Sequence, residues 1–482
     1  MKKNNTRFFF VLIAVGAAIG LGNIWIYPYL SFKLTGLFFI PYLVALLLLG
    51  IPLLMLEFSV GQYFNKNIVD LFASIRKGFS FIGWLMLFNS LIVMSFYAVV
   101  LAWHIIYFFV SFGLQWHKDV NGYFFNNVLQ ASNGFHGFTQ FSLTVFIALI
   151  IAWVIIFFYI RKGFESMKKG FLMSLPILVA LMLFFLLYSL KLNHGLTGVY
   201  SFLKPRFGSL LHFDVWLNAF SLAALSLGLS FGIMHAVGRK SGNGFAFGVS
   251  SVTAVLELLV SIAVGFISFG ILGFLSVKQG LSVDKLAFFD YGSGFTILAQ
   301  ALPFFYKPTL LSLLFFLFLS IFFILGTAAL AYSITHVLVH KFKTKHFNAT
   351  VIVAGLGFLL GLLFIIKPGF YIMDIVSHFV YYNILIALLL EVIAVTWFFD
   401  SEKISNHINQ NSALKIGRLW RFFIKYFAPI ILLALLFFQI KSDILIEYKN
   451  YPFIYILIFG VGAVIVPLIL AFLMPQKIFD RR

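Results

Sequence analysis

Cysteine is absent from the 482 residues, and acidic side chains are scarce, 15 against 34 lysines and arginines. The first absence excludes disulfides and thiolate metal sites and leaves the redox compartment open. Charged residues of both signs amount to only 10% of the chain, whereas hydrophobic residues amount to 62%. No compact water-soluble fold hides that much apolar surface, so an integral membrane protein is expected. Nucleophile elbow, phosphate-binding loop and HExxH are all missing, and no enzyme or cofactor is expected.

What is present in excess is apolar sequence, including 65 phenylalanines. Runs long enough to cross the hydrocarbon core, about 20 residues, fall near 8 to 32, 36 to 63, 80 to 113, 141 to 160, 170 to 192, 213 to 238, 248 to 276, 308 to 340, 347 to 366, 370 to 399, 420 to 440 and 452 to 475. Twelve spans follow. The first run is too long for a signal-peptide core and has no A-x-A-like cleavage site, so it stays in the mature chain. With the N-terminus in the cytoplasm, 23 of the 34 basic residues fall on the inside, which puts both termini there. The net charge of +19 is thereby read as a topology signal and not as a nucleic-acid surface. Of the outside loops, 277 to 307, with "GLSVDKLAFFDYGSGFTILAQALP", is apolar enough to pack back as a lid. Nothing is long or polar enough for a separate domain. Residues 1 to 482 read as one transmembrane unit in a cell membrane, and the short termini and sparse loops fit a prokaryotic cytoplasmic one.

Two spans carry breakers at mid-membrane. "VGAAIGLGNIWIYPYL" (Val15 to Leu30) holds Gly16, Gly20, Gly22, Asn23 and Pro28, and "SLAALSLGLSFG" (Ser221 to Gly232) clusters Ser226, Gly228, Ser230 and Gly232. Unwound backbone survives in a bilayer only where it lines a protein cavity or binds something. A small-residue packing stripe explains one such span. Two of them, first and sixth, are the mark of two inverted five-span repeats, 8 to 192 and 213 to 399, with a site between the breaks. Residues 420 to 475 then supply two peripheral helices.

"GAAIGLGNIWIYPY" followed by "FFIPYLVALLLLGIPLLMLEFSVGQ" resembles the start of the neurotransmitter:sodium symporters, the family of the bacterial leucine transporter, which typically reads GLGN-x-W-R-F-P-Y, then IPY and GIP-x-x-x-x-E. Tyr97 six before Trp103, "SLGLSFG" and "LLLEVIAV" extend the likeness through the third, sixth and tenth spans. The resemblance implies an all-α polytopic transporter with broken first and sixth helices that works by alternating access on a small-molecule substrate. It places the substrate carboxylate at the N–H groups of Leu21 and Gly22, where a half-helix N-terminus favours an anion, and at the hydroxyl of Tyr97. The ammonium falls at the carbonyls of Ala18, Ala223 and Ala224 and at Ser226. Val93, Ala223, Leu229 and Tyr332 line the side-chain pocket. Gly20 stands where amine-carrying members have aspartate, which fits an amino acid that brings its own carboxylate. An apolar or aromatic side chain is expected, with Ala223 in place of a usual phenylalanine leaving room.

The resemblance also implies Na+ as coupling ion, held at one site by Ala18, Asn23 and the substrate carboxylate and at a second by Gly16, Ile19, Ile324 and Thr327. Both sites have lost a hydroxyl ligand, since Ala224 and Ala328 stand at the hydroxyl positions, and Glu257 replaces an asparagine. Three roles for Glu257 stay open: a stronger cation ligand, a protonatable coupling group, or a fixed charge in place of chloride. Tyr42 and Ser261 match chloride-site positions, but Phe220 and Ala224 do not, and no chloride requirement is expected. Ile26 and Ser377 replace the family's arginine–aspartate gate, with Asp374 one turn earlier. Glu57 and Glu391 read as structural carboxylates that accept from freed backbone N–H groups, and His104, His235 and His378 as packing residues. A proton-coupled or sodium-independent carrier using Glu257, and a membrane sensor that binds without translocating, are the alternatives.

Overall fold

The computed structural model describes residues 2–20, 22–241, 245–286, 291–410, 415–445 and 448–474. Leu21 and the basic residues after 474 lie outside that set. A chain in hydrocarbon has to satisfy its backbone within each segment, so the apolar runs become helices. In order these are α1 (Lys2–Ala18), α2 (Gly22–Leu34), α3 (Phe39–Phe64), α4 (Lys77–Val110), α5 (Leu143–Ile160), α6 (Phe164–Lys191), α7 (Phe213–Ser226), α8 (Ile233–Ser241), α9 (Ala246–Gln279), α10 (Pro308–Lys341), α11 (His346–Phe364), α12 (Gly369–Phe398), α13 (Arg418–Ile444) and α14 (Phe453–Leu473). Among the described residues there is no strand, only an isolated bridge between Phe141 and Ile366.

Ten of these helices are long and apolar enough to cross a membrane, and α1 with α2, bent by 61° at a short break, forms an eleventh span. The sixth apolar run is divided into α7 and α8, neither long enough to span alone. The protein is a multi-pass, all-helical membrane protein. Its axis is the antiparallel-reading pair of long helices α4 and α10, which pack along each other and are 78% buried over their most apolar stretch, as is α9. By contrast α13 and α14 are only 22% and 17% buried. They sit at the periphery and present their apolar faces outward.

Of the 277 to 307 segment, in which 287 to 290 lie outside the described residues, the part around Phe295 packs inward. Phe295 is 3% exposed and lies against Trp103, Tyr107, Phe124 and Phe316, with ring centroids 4.7 to 6.2 Å apart. Burying several aromatic rings in one cluster anchors the short helix Tyr291–Ala299 on the bundle.

Candidate functional site

The two breaks meet. Gly22 abuts Ser226, where a built Cβ would come within 3.3 Å of the serine Cβ, and Gly228 lies against the Ala17 carbonyl. Span six comes apart through alternating left-handed residues, Gly228 (φ 67°), Ser230 (φ 64°) and Gly232 (φ 74°). Serine resists that conformation, and its N–H is held by Glu57 Oε1 at 2.6 Å. In span one Asn23 does the equivalent work: its Oδ1 accepts from Gly20 N at 2.8 Å, taking up a donor that the broken helix frees. Gly20 is required by a close approach, since a Cβ there would stand 2.8 Å from the Tyr97 hydroxyl.

Between the breaks lies a cavity of about 60 Å³ lined by Ala18, Ile19, Gly20, Gly22, Val93, Tyr97, Ser226, Gly228 and Gly326, with Ile26, Phe96, Phe231, Leu330, Ser377, Val380 and Ile384 among its apolar and gate-side walls. That volume holds only a few waters, so the cavity is narrow. The residues Ala18, Gly22, Val93, Tyr97 and Ser226 therefore come together as read from the sequence. Ala223, Ala224, Leu229 and Tyr332 do not: all are buried, and none lines the cavity. Tyr332 instead packs against Phe164 and His336. Ala223 consequently opens no extra room for a bulky substrate.

The misses have a physical origin. After three left-handed residues, helical spacing no longer predicts which side chain faces inward, and Phe231 takes the place expected of Leu229. On α10 the cavity face is Gly326 and Leu330, four apart and hence on one stripe; that spacing was available in the sequence and excludes Tyr332.

Glu257 in α9 is fully buried, and its Oε1 accepts from Tyr42 Oη (2.7 Å), Ser261 Oγ (3.2 Å) and Asn23 Nδ2 (2.5 Å). Tyr42 also meets Ser226 Oγ at 2.6 Å. One hydrogen-bonded chain thus runs from Gly20 through Asn23, Glu257 and Tyr42 to Ser226, joining both breaks. Three donors converging on one oxygen make an anion's surroundings. The amide oxygen of Asn23 is turned to Gly20, so Asn23 faces the carboxylate with its donor. Phe220, where the resemblance has glutamine, packs on Phe427.

At the second cation position, the Ile19 carbonyl points at α10 beside Gly326, adjacent to Thr327. Thr327 Oγ1 donates to Phe323 O at 2.6 Å, which leaves its lone pairs to accept or to ligate. Gly16 lies one turn back against Phe171. The Ile324 side chain points away, into a groove lined by Arg161, Lys162 and Lys168; its carbonyl is the atom the resemblance assigns.

Several polar residues have partners that their spacing did not reveal. Glu57 does hold a freed N–H, but Glu391 does not: its Oε1 is 2.8 Å from His235 Nε2. His235 is therefore not a mere packing residue. His378 lies 2.8 Å from Asp443, and Asp374 pairs with Lys449 (2.9 Å) and Tyr451 (3.0 Å). Ile26 and Ser377, at the positions the resemblance assigns to the gate, both line the cavity and carry no charge.

The profile of the sodium:neurotransmitter symporter family matches residues 2–121 and 114–477. An uncharacterised sodium-dependent transporter of Methanocaldococcus jannaschii is 32% identical over 95% of this chain and 94% of its own length. A sodium-dependent nutrient amino acid transporter of Drosophila virilis is 27% identical over 92% of this chain and 77% of its own, and a sodium-dependent dopamine transporter of Caenorhabditis elegans is 26% identical over 92% and 81%. Two touching helix breaks, a tyrosine over the first, and this match along the whole length lead to one assignment: the chain belongs to the sodium:neurotransmitter symporter family of sodium-dependent transporters.

Proposed function

We propose that the protein is a Na+-driven symporter of an amino acid with an apolar or aromatic side chain. The observation that carries this is the composition of the cavity between the breaks. It has backbone groups, Tyr97 and Ser226 for a zwitterion's head and an apolar wall for its side chain, with no acidic side chain among its lining residues. A substrate that brings its own carboxylate fits such a site, and a bare amine does not. Gly20 cannot be exchanged for an acid without displacing Tyr97. The nutrient amino acid transporters among the relatives support the same class.

The cation sites are Ala18, Asn23 and the substrate carboxylate, and Gly16, Ile19, Ile324 and Thr327. Glu257 acts as a fixed negative charge in the position of an anion, which the three donors to its Oε1 favour over direct ligation. The fold is built of two inverted repeats, 8 to 192 and 213 to 399, with both termini in the cytoplasm. In the cycle, the half containing the breaks rocks between outward and inward access, and the cavity of about 60 Å³ is a closed intermediate that has to widen to admit substrate.

The test is uptake of a labelled amino-acid panel into proteoliposomes under imposed Na+ or H+ gradients. Accumulation of an apolar or aromatic amino acid driven by Na+ alone is expected. Accumulation driven by H+ alone would overturn the sodium reading, and binding without accumulation would replace a carrier by a sensor.

A further inference from the structure

A second buried constellation lies on the other side of the span-six break and has no part in the substrate or sodium sites. His235 of α8 stands between Glu57 of α3 and Glu391 of α12: Nε2 is 2.8 Å from Glu391 Oε1, Nδ1 is 3.6 Å from Glu57 Oε2, and each side chain is 1% exposed. Glu57 Oε2, His235 Nδ1 and Glu391 Oε2 are buried without a hydrogen-bond partner. Three ionisable groups from three helices therefore meet with three unused polar atoms between them.

Charge balance decides what is missing. With the imidazole charged and both carboxylates ionised, the cluster keeps one net negative charge at 1% exposure, and an uncompensated buried charge costs several kcal/mol. Among the described residues, the cations and imidazoles on the helices packed against α8 have partners outside the cluster. α8 packs on α1, α3 and α10. After Arg7, α1 has no titratable residue, and Glu57 is the sole acid of α3. On α10, His336 is 3.2 Å from Arg239 of α8, His340 lies against His336 with the rings tilted, and Lys341 is paired with Asp70 at 2.7 Å. Asp374 and His378 of α12 are paired elsewhere, and Phe72 closes the remaining side. A second proton neutralises the cluster and turns an orphaned acceptor into a donor. A divalent metal would also balance the charge, but it holds N and O ligands at about 2.0–2.2 Å from one centre. The candidate ligand atoms here lie within 4.8 Å of one another, and a metal would have to displace the His235–Glu391 hydrogen bond to use Nε2.

We propose that Glu57, His235 and Glu391 form a proton-binding site which holds one proton beyond that of the imidazolium and, through the Glu57–Ser230 bond, ties its loading to the geometry of the span-six break. The left-handed Ser230 is held by a carboxylate oxygen whose partner oxygen is in the cluster. Separation of α8 from α12 during the cycle exposes the site and releases the proton. Proton and sodium affinities then depend on each other reciprocally, a consequence that rests on the symport reading, whereas the proton site itself does not.

Infrared difference spectroscopy of the full-length protein in lipid nanodiscs, titrated across the range in which imidazole and buried carboxyls exchange protons, tests the site directly. A carboxylic-acid carbonyl band is expected in the native protein near neutral pH and lost in both Glu391→Gln and Glu57→Gln. If Glu57→Gln fails to fold because Ser230 loses its partner, Glu391→Gln decides alone. Identical bands in native protein and Glu391→Gln would overturn the proposal. So would one tightly held divalent metal per native chain, found by elemental analysis and missing from His235→Gln. Binding of radioactive Na+ over the same pH range is expected to change on the order of fivefold or more in the native protein and to flatten in Glu391→Gln. An unchanged slope in that variant overturns the coupling. Failure of the native protein to bind Na+ at all would sink the symport reading, while the infrared band would still decide the proton site.

Discussion

The Tyr42 hydroxyl lies 2.7 Å from Glu257 Oε1 and 2.6 Å from Ser226 Oγ, so one phenol connects a buried carboxylate of α9 to the unwound end of α7. Removing the charge while keeping the shape leaves three donors aimed at a neutral group. Glu257→Gln is expected to lower Na+-driven uptake about tenfold or more, which corresponds to roughly 1.4 kcal/mol. In Glu257→Ser the same donors are left free for an external anion, and added chloride is expected to restore part of the uptake. The measurement is initial uptake rate with chloride against an impermeant anion; a Glu257→Ser variant indifferent to chloride would dismiss the fixed-charge role.

Tyr97 stands over the first break, its hydroxyl so near Gly20 that no Cβ fits between them. A hydrogen bond to a charged group is worth about 1.5–3 kcal/mol. Tyr97→Phe should therefore weaken substrate binding roughly tenfold to a hundredfold. Competition binding with the amino acid found in the uptake panel measures this, and unchanged affinity would remove Tyr97 from the carboxylate site.

Gly228 has φ 67° and faces the Ala17 carbonyl, 3.0 Å from where a Cβ would stand. Alanine in that conformation costs about 1–2 kcal/mol. Gly228→Ala should lower the midpoint of thermal unfolding by a few degrees and reduce uptake beyond what stability explains, because the strain falls on the contact between the breaks. Gly248→Ala, on a helix with open space at that position, serves as the control and should be neutral or slightly stabilising.

Asp374 is 3% exposed whereas its partner Lys449 is 40% exposed. Removing the lysine strands a buried carboxylate, and removing the carboxylate leaves a lysine that can turn to water. Lys449→Ala is expected to destabilise more than Asp374→Asn, and the double variant to recover toward the milder single one. Thermal unfolding of the three variants decides; equal losses for both single variants would show that burial of Asp374 does not set the asymmetry.

Much of the architecture was legible because hydrocarbon imposes simple rules. The long apolar runs and the two breaks are local patterns: ten runs are spanning helices, and the first and sixth runs are interrupted, between Ala18 and Gly22 and between Ser226 and Ile233. Phe295, in the apolar segment read as packing back, is buried against the bundle. The site was legible only in part. Ala18, Gly22, Val93, Tyr97 and Ser226 are reached by local spacing around the breaks. Phe231 is not, because left-handed residues at 228, 230 and 232 erase the helical period; Ala223, Ala224, Leu229 and Tyr332, which the resemblance assigns, are buried outside the cavity lining.

The sequence by itself determined that this chain lies in a membrane, that its first and sixth spans are interrupted, and that it is a relative of sodium-dependent transporters. Those are consequences of composition, hydropathy and motif, each readable within a few dozen residues. Only the tertiary structure decided what surrounds the buried carboxylates. Glu257 receives donors from positions 23, 42 and 261, and Glu57 and Glu391 close on His235, because helices far apart in the chain are packed side by side. The energy of a buried charge depends on what surrounds it in space, and a linear sequence does not specify which helix faces which.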